Sequence, residues 1–351
     1  MLGVKLPIIQ APMAGASGSE MAIAVSEAGG LGSLACAMLT PEKIRDEIMV
    51  IKRATKKPFN LNFFCHKPAA PDSAKDREWK ALLAHYYDEL GLNPIDVTPS
   101  ATRAPFDAQA CSIIAEAKPA IVSFHFGLPS DELLARVRGA GCTIIGTATN
   151  VAEARWLEQH GCNAIIAQGY EAGGHRGTFL GGDTAKQPGT MALVPQVVDA
   201  VKVPVIAAGG IADGRGIAAA RALGATAVQM GTAYLFTPEA TISRLYRAAL
   251  HRVADDGTVL TNVLTGRPAR AVANRMIREN GPMSDMVPAF PAAAGPLAPL
   301  KAASEASRKG DFSNLWCGQA APLCKDIGAG QLTKNLARDA AACLAGLAGK
   351  P

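Results

Sequence analysis

The chain has 351 residues, 49% of them hydrophobic but only 5% aromatic, and a net charge of +5. That length exceeds a minimal domain and suits a barrel of about 250 residues carrying additions. No apolar run approaches the roughly eighteen residues of a membrane span, and the charge forms no basic run with interleaved aromatics, so membrane and nucleic-acid roles are excluded as expectations.

The opening MLGVKLPIIQAPM lacks the charged, apolar and small-residue regions of a secretion signal, so a cytoplasmic location is expected. Eight cysteines form no CxxC pair and read as reduced structural thiols; no metal site is expected.

One unit recurs along the chain: a helical tail, a glycine, then a short run of small or β-branched residues. The glycine closes the helix, and an apolar run with little alternation is what a strand covered on both faces looks like. The first predicted strand is PIIQAP (7–12), followed by a helix over 18–28 and a strand ending the stretch VSEAGGLGSLAC (25–36). A helix over 41–56 leads to the strand FNLNFF (59–64). A longer interval follows at 65–118, with the Pro-rich HKPAAPDSAK at its start and helical sequence from 75. Next come a strand in AIVSFHFG (120–127), a helix over 130–139, and a strand ending RVRGAGCTIIGTA (136–148). A helix over 150–160 then precedes a strand ending WLEQHGCNAIIAQG (156–169). The last two strands lie in VPVIAAGG (203–210) and ARALGATAVQMGT (220–232), after helices over 191–201 and 213–223.

Eight strands alternating with helices predict a parallel (β/α)₈ TIM barrel over 1–236, with an insertion at about 65–118; an open doubly wound sheet is the alternative. Residues 237–311 read as a small, mainly helical second domain, and 312–351 as a segment returning to the barrel. Gly30-Leu31-Gly32-Ser33-Leu34-Ala35 matches a dinucleotide fingerprint letter by letter. It follows a helix and opens a strand, the reverse of what that motif needs, so it reads as a helix cap.

In such a barrel the chemistry sits at the C-terminal strand ends. Those ends carry Ala11, Pro12 and Met13, then Asn62, His125, Gln168, the pair Gly209 and Gly210, and Gln229 to Thr232. Gly209-Gly210 and the run Gln229, Met230, Gly231, Thr232 read as a phosphate cradle, because glycines admit close approach and helix amides donate to an anion. His175, in the small-residue loop Glu171 to Gly177, is the candidate catalytic residue. His125 and Arg176 are candidate substrate contacts. His66, His85, His160 and His251 are expected to be solvated.

These segments together resemble the nitronate monooxygenase family, formerly called 2-nitropropane dioxygenases, in its bacterial class I branch. The resemblance is carried by PIIQAPMAG, NLNFF, VSFHFGLP, QGYEAGGHRG, PVIAAGGIADGRG, AVQMGTAYL and LWCGQAAPL, and covers nearly the whole chain. It implies FMN as cofactor, with contacts at Asn62, Gln168, Gly173, Gly210 and Gln229 to Thr232, and the backbone of Ala11 to Met13 along the isoalloxazine ring. It implies His175 as the active-site histidine. The activity implied is oxidation of an alkyl nitronate, such as propionate 3-nitronate, by FMN and O₂ to a carbonyl compound and nitrite, through a flavin semiquinone. The expected partners are therefore the small-molecule nitronate and O₂, in a monomer or homodimer. The alternatives are an NAD(P)H:quinone or enoyl-ACP reductase on the same barrel, and a non-catalytic FMN-binding barrel. Whether His175 stabilises charge or acts as a base is left open by the sequence.

Overall fold

The computed structural model describes residues 2–93, 103–181 and 183–348. Parts of the expected insertion (94–102), the C-terminal segment (349–351), Met1 and Gly182 therefore lie outside the described residues.

The predicted strands form one eight-stranded parallel sheet. They are β1 (Ile8–Gln10), β2 (Gly32–Ala35), β3 (Phe59–Phe64), β4 (Ile121–His125), β5 (Thr143–Ala148), β6 (Ala164–Gln168), β8 (Val205–Ala208) and β9 (Ala227–Met230). A short strand between the sixth and seventh of these, β7 (Gly174–His175), belongs to another sheet. β1 pairs with β9, and a parallel bridge from Ile9 to Leu31 brings β1 against the β2 end, so the sheet closes into a barrel. That closure removes the open-sheet alternative.

Helices α1 (Ser19–Glu27), α2 (Pro41–Ala54), α3 (Ser73–Leu90), α4 (Ala108–Ala117), α5 (Asp131–Gly139), α6 (Val151–Gln159), α7 (Thr190–Ala200) and α8 (Gly214–Ala222) lie between the strands. Several start on the residue types that satisfy free amides: Thr40, Asp107, Ser130, Asn150 and Asp213 each accept a backbone N–H of the first turn. The false fingerprint is a packing device. A Cβ on Gly32 would stand 2.0 Å from the Ala22 carbonyl oxygen, so α1 can lie on β2 only over a glycine.

Side chains alternate along each strand. Leu61, Val122, Ile144, Ile165, Val205 and Val228 face the helices, while Ile121, Ile145, Ile166, Ile206 and Ala227 fill the barrel interior. Higher up, the inward positions turn polar. Asn60 donates to Ser33 Oγ (3.1 Å) and Ser123 Oγ (2.9 Å), and Asn62 donates to Ser123 Oγ (2.9 Å). The barrel is thus plugged by hydrocarbon below and polar at the C-terminal ends of its strands.

After α9 (Thr232–Leu235), residues 237–311 hold α10 (Arg244–Arg252), the antiparallel strands β10 (Thr258–Thr261) and β11 (Ala269–Val272), α11 (Arg275–Asn280) and α12 (Ala294–Ala306). The hairpin is an addition to the helices that the sequence predicts. Its strands are four residues each, too short for their pattern to stand out from helical sequence. This region shares a core with α3: Trp79, Leu83, Tyr86 and Tyr87 pack with Val263, Leu264, Met276 and Leu297, and with Phe312 just beyond it. The final helix, α13 (Ala329–Ala348), packs on α8 and α1 of the barrel. Among the described residues no helix is long and apolar enough to cross a membrane.

Candidate functional site

A cavity of about 420 Å³ opens at the C-terminal ends of the barrel strands, inside the range of cofactor and substrate pockets. Ala11, Pro12, Met13, Asn62, His125, Gln168, Gly173, His175, Gly209, Gly210, Gln229, Gly231 and Thr232 all line it. The structure does not bring the other two expected residues there. Met230 follows an inward Gln229, so strand alternation turns its side chain outward among the helices; its carbonyl instead accepts from Ala11 N (2.8 Å) and holds the Ala11–Met13 turn. Arg176 is fully buried and donates to the carbonyls of Gly169 (2.9 Å), Tyr170 (3.3 Å), Ala172 and Gly174 (3.1 Å). Its guanidinium ties the 169–174 loop to itself and is spent there, not on substrate. Burial lowers its pKa to about 9.

His175 is held from three sides. Its carbonyl accepts from Gln168 Nε2 (3.0 Å) and lies 3.3 Å from His125 Nε2, and Gln168 Oε1 accepts from Gly177 N (2.8 Å). Its backbone is a strand of the second sheet, with His175 opposite Ala269 and Gly174 opposite Arg270. Its Nε2 meets Thr265 Oγ1 at 2.9 Å. The loop after β6 is thereby stitched to the β10–β11 hairpin, and Thr265 sits in the connection between those strands. A side chain at Gly177 would collide with His125 and Thr147, at 2.9 and 2.8 Å, and one at Gly266 with the Pro288 carbonyl at 2.1 Å. Both glycines are steric requirements of this arrangement.

Aromatic rings enclose the imidazole: Trp316 at 5.0 Å, Phe290 at 5.4 Å and Phe126 at 6.0 Å between centroids. Phe126 takes a left-handed backbone (φ 71°), an unusual conformation for a bulky side chain, and the Arg267 guanidinium covers its ring at 3.9 Å. Enclosure pushes the His175 pKa well below 6.5, helped by the positive field of Arg103, Arg267 and Arg176 and by His125. Burial first, and Arg267 second, push His125 down to about 3 and His66 to about 4. The imidazoles are therefore neutral at ordinary pH. His66 is not solvated as expected. It lies two residues beyond β3 and is buried against Phe290 and Phe126, with Nδ1 unpartnered among the described residues. His160 stacks on Trp156 at 3.8 Å.

The lining fits a flavin mononucleotide. Gln229 Oε1 is buried without a partner and can accept from an N–H of a bound ring. Gly209 and Gly210 hold left-handed φ values of 111° and 69° at the cavity, beside the Thr190 hydroxyl and the Glu171 and Ala172 side chains, and add no side chain of their own there. Sequence reasoning missed Arg103 and Trp316, which line the cavity, and Thr265 and Phe290, which stand against the His175 ring. The one signal for Thr265 was the turn-like Thr265-Gly266-Arg267-Pro268 between two β-branched or aliphatic runs.

The sequence profile described as nitronate monooxygenase matches residues 1–339. A nitronate monooxygenase of Paraburkholderia phytofirmans is 42% identical over 341 residues, covering 97% of this chain and 93% of that one. One from Pseudomonas aeruginosa is 41% identical over 344 residues, covering 97% of each. Among solved structures, a nitroalkane oxidase from Streptomyces ansochromogenes superposes with a TM-score of 0.91 at 37% identity over 98% of both chains. FabK from Thermotoga maritima gives 0.71 at 27% identity over 99% and 96%. With this barrel, this strand-end cavity and relatives along nearly its full length, the chain belongs to the nitronate monooxygenase family of oxidoreductases.

Proposed function

We propose that the protein oxidises alkyl nitronates with O₂ to a carbonyl compound and nitrite, using FMN held in the strand-end cavity. The observation that carries this reading is the His175–Thr265 pair: a neutral imidazole fixed by a 2.9 Å hydrogen bond, with its other face at the cavity. Residues 11–13, Asn62, Gly173, Gly209, Gly210, Gln229, Gly231 and Thr232 would hold the cofactor, while Gln168 and Met230 position the segments beside it. FMN, when bound, supplies electron acceptance from the substrate and reaction with O₂.

A nitronate is already a carbanion equivalent, so no proton need be removed from carbon. The imidazole then serves as a hydrogen-bond donor to the nitronate oxygens. Thr265 makes that possible: when its hydroxyl donates to Nε2, the proton sits on Nδ1 and is available to substrate. When the hydroxyl donates instead to the Arg267 carbonyl at 3.4 Å, its oxygen accepts from Nε2–H and Nδ1 becomes a free base. The same pair can therefore accept a proton from a neutral nitroalkane. The aromatic wall of Phe126, Phe290 and Trp316 excludes water from the reacting group and strengthens these bonds.

The test is oxygen uptake by the purified protein with an alkyl nitronate, compared with NADH plus quinone. Uptake with nitronate and nitrite formation are expected. Anaerobic bleaching of the flavin by NADH, with no response to nitronate, would instead favour a reductase on the same barrel.

A further inference from the structure

Five cationic side chains stand around or just behind the cavity, and four are already engaged. Arg176 is spent on loop carbonyls. Arg267 lies on the Phe126 ring and donates to the Thr178 carbonyl. Arg270 covers the Tyr170 ring at 4.7 Å and donates to the Tyr170 carbonyl at 3.1 Å. Lys301 pairs with Glu305 at 3.9 Å. Arg103 alone lines the cavity with neither a hydrogen bond nor an ion pair among the described residues.

Its backbone supports a functional reading. Arg103 is held at φ 80°, a conformation that a residue with a side chain adopts only when its surroundings impose it. The anchor is close by: Phe106 N donates to the Phe64 carbonyl (2.7 Å), and the Phe106 ring packs on Phe63 and Phe124. The residue also lines a second cavity, of about 710 Å³, walled by prolines and alanines of 68–71 and 288–292. The guanidinium thus stands where the two cavities adjoin, on the β3–β4 side of the barrel, away from the glycines that follow β8 and β9. Burial disfavours its charge, and among the described residues no carboxylate pairs with it to offset that cost. A guanidinium in that position is suited to a planar anion, which it can bind through two parallel N–H donors.

We propose that Arg103 is the substrate-anion residue of this site, pairing with the negatively charged nitronate group as it lies against His175. The proposal rests on the nitronate reading above. It makes Arg103 a specificity-determining residue: it favours the anionic nitronate over the uncharged nitroalkane, and it draws anions toward the cavity from the second one.

The experiment compares wild-type holoenzyme with Arg103→Met and Arg103→Lys. Inorganic nitrate, a planar monoanion, is titrated while the absorbance of the bound flavin is followed, and KM is measured for an alkyl nitronate. In Arg103→Met, both the nitrate Kd and the nitronate KM should rise roughly 10- to 100-fold, the scale of a lost charge-assisted hydrogen bond. Flavin content should be unchanged, and kcat/KM should lose most of its ionic-strength dependence. Arg103→Lys should recover part of the affinity. Unchanged Kd and KM in Arg103→Met, with wild-type nitronate turnover intact, would overturn the proposal alone. Arg103-dependent nitrate binding in a protein that does not oxidise nitronates would uphold the anion site and reject the nitronate reading instead.

Discussion

His175 Nε2 and Thr265 Oγ1, ninety positions apart in sequence, lie 2.9 Å apart. The contact joins the loop after the sixth barrel strand to the hairpin of the second unit, and it decides which imidazole nitrogen faces the cavity. Thr265→Val keeps the shape and removes the hydroxyl. Turnover of preformed nitronate should fall about 3- to 10-fold, the cost of one hydrogen bond, with flavin retained, and Thr265→Ser should restore it. Equal rates in all three proteins would show that the hydroxyl does not set the tautomer.

The lowered histidine pKa values have two consequences with opposite visibility. Because His175 stays neutral well below 6.5, kcat/KM on preformed nitronate should show no inflection near pH 6.5. Stability should respond instead. Below about 6.5 the unfolded chain binds protons at His66, His125 and His175, whereas in the folded chain His66 and His125 bind them only near 4 and 3 and His175 only well below 6.5. Folding is therefore weakened as pH falls from about 6.5 toward 4, by at most about 1.4 kcal/mol per pH unit for each histidine. Thermal melts from pH 7 to 5 check this; a constant Tm would contradict the buried neutral histidines.

The glycine pair predicts a cofactor phenotype. A side chain at Gly210 meets both a left-handed backbone and, at 3.3 Å, the Cβ of Glu171. Glu171 in turn accepts from Thr190 N and Oγ1, each at 2.8 Å. Gly210→Val should therefore shift the 171–174 loop and lower flavin content sharply while the barrel still folds. Absorbance of the purified variant, with circular dichroism as the fold control, measures both. Full flavin occupancy would place the phosphate elsewhere.

Much of this was legible from the sequence because each barrel strand announces itself locally, as a helix cap followed by an apolar run. The strand-end rule put the glycines, Asn62, Gln168 and His175 at one end of the barrel, where they line the cavity. The outward turn of the Met230 side chain follows from strand alternation after an inward Gln229, a relation that the glycine-rich run Gln229 to Thr232 hides. Arg176 looked like a free cation because sequence cannot show that four loop carbonyls surround it. Thr265 and Arg103 were invisible for a different reason. Their roles arise from a hairpin of four-residue strands and from a loop anchored on β3, contacts of long sequence separation that no local pattern encodes.

The central claim is that nitronate oxidation takes place against His175. The most direct measurement is the initial rate of O₂ consumption and nitrite release from preformed ethyl nitronate, for wild type and His175→Asn, with flavin content matched. Asparagine carries its amide donor on a shorter side chain that Thr265 does not hold, so no donor is fixed where the imidazole N–H stood. Coupled O₂ uptake and nitrite release are expected in wild type, with a loss on the order of 10²- to 10³-fold in the variant and FMN retained, the scale for removing one transition-state donor. Equal rates in the two proteins, or no nitronate-dependent uptake in wild type, would contradict it.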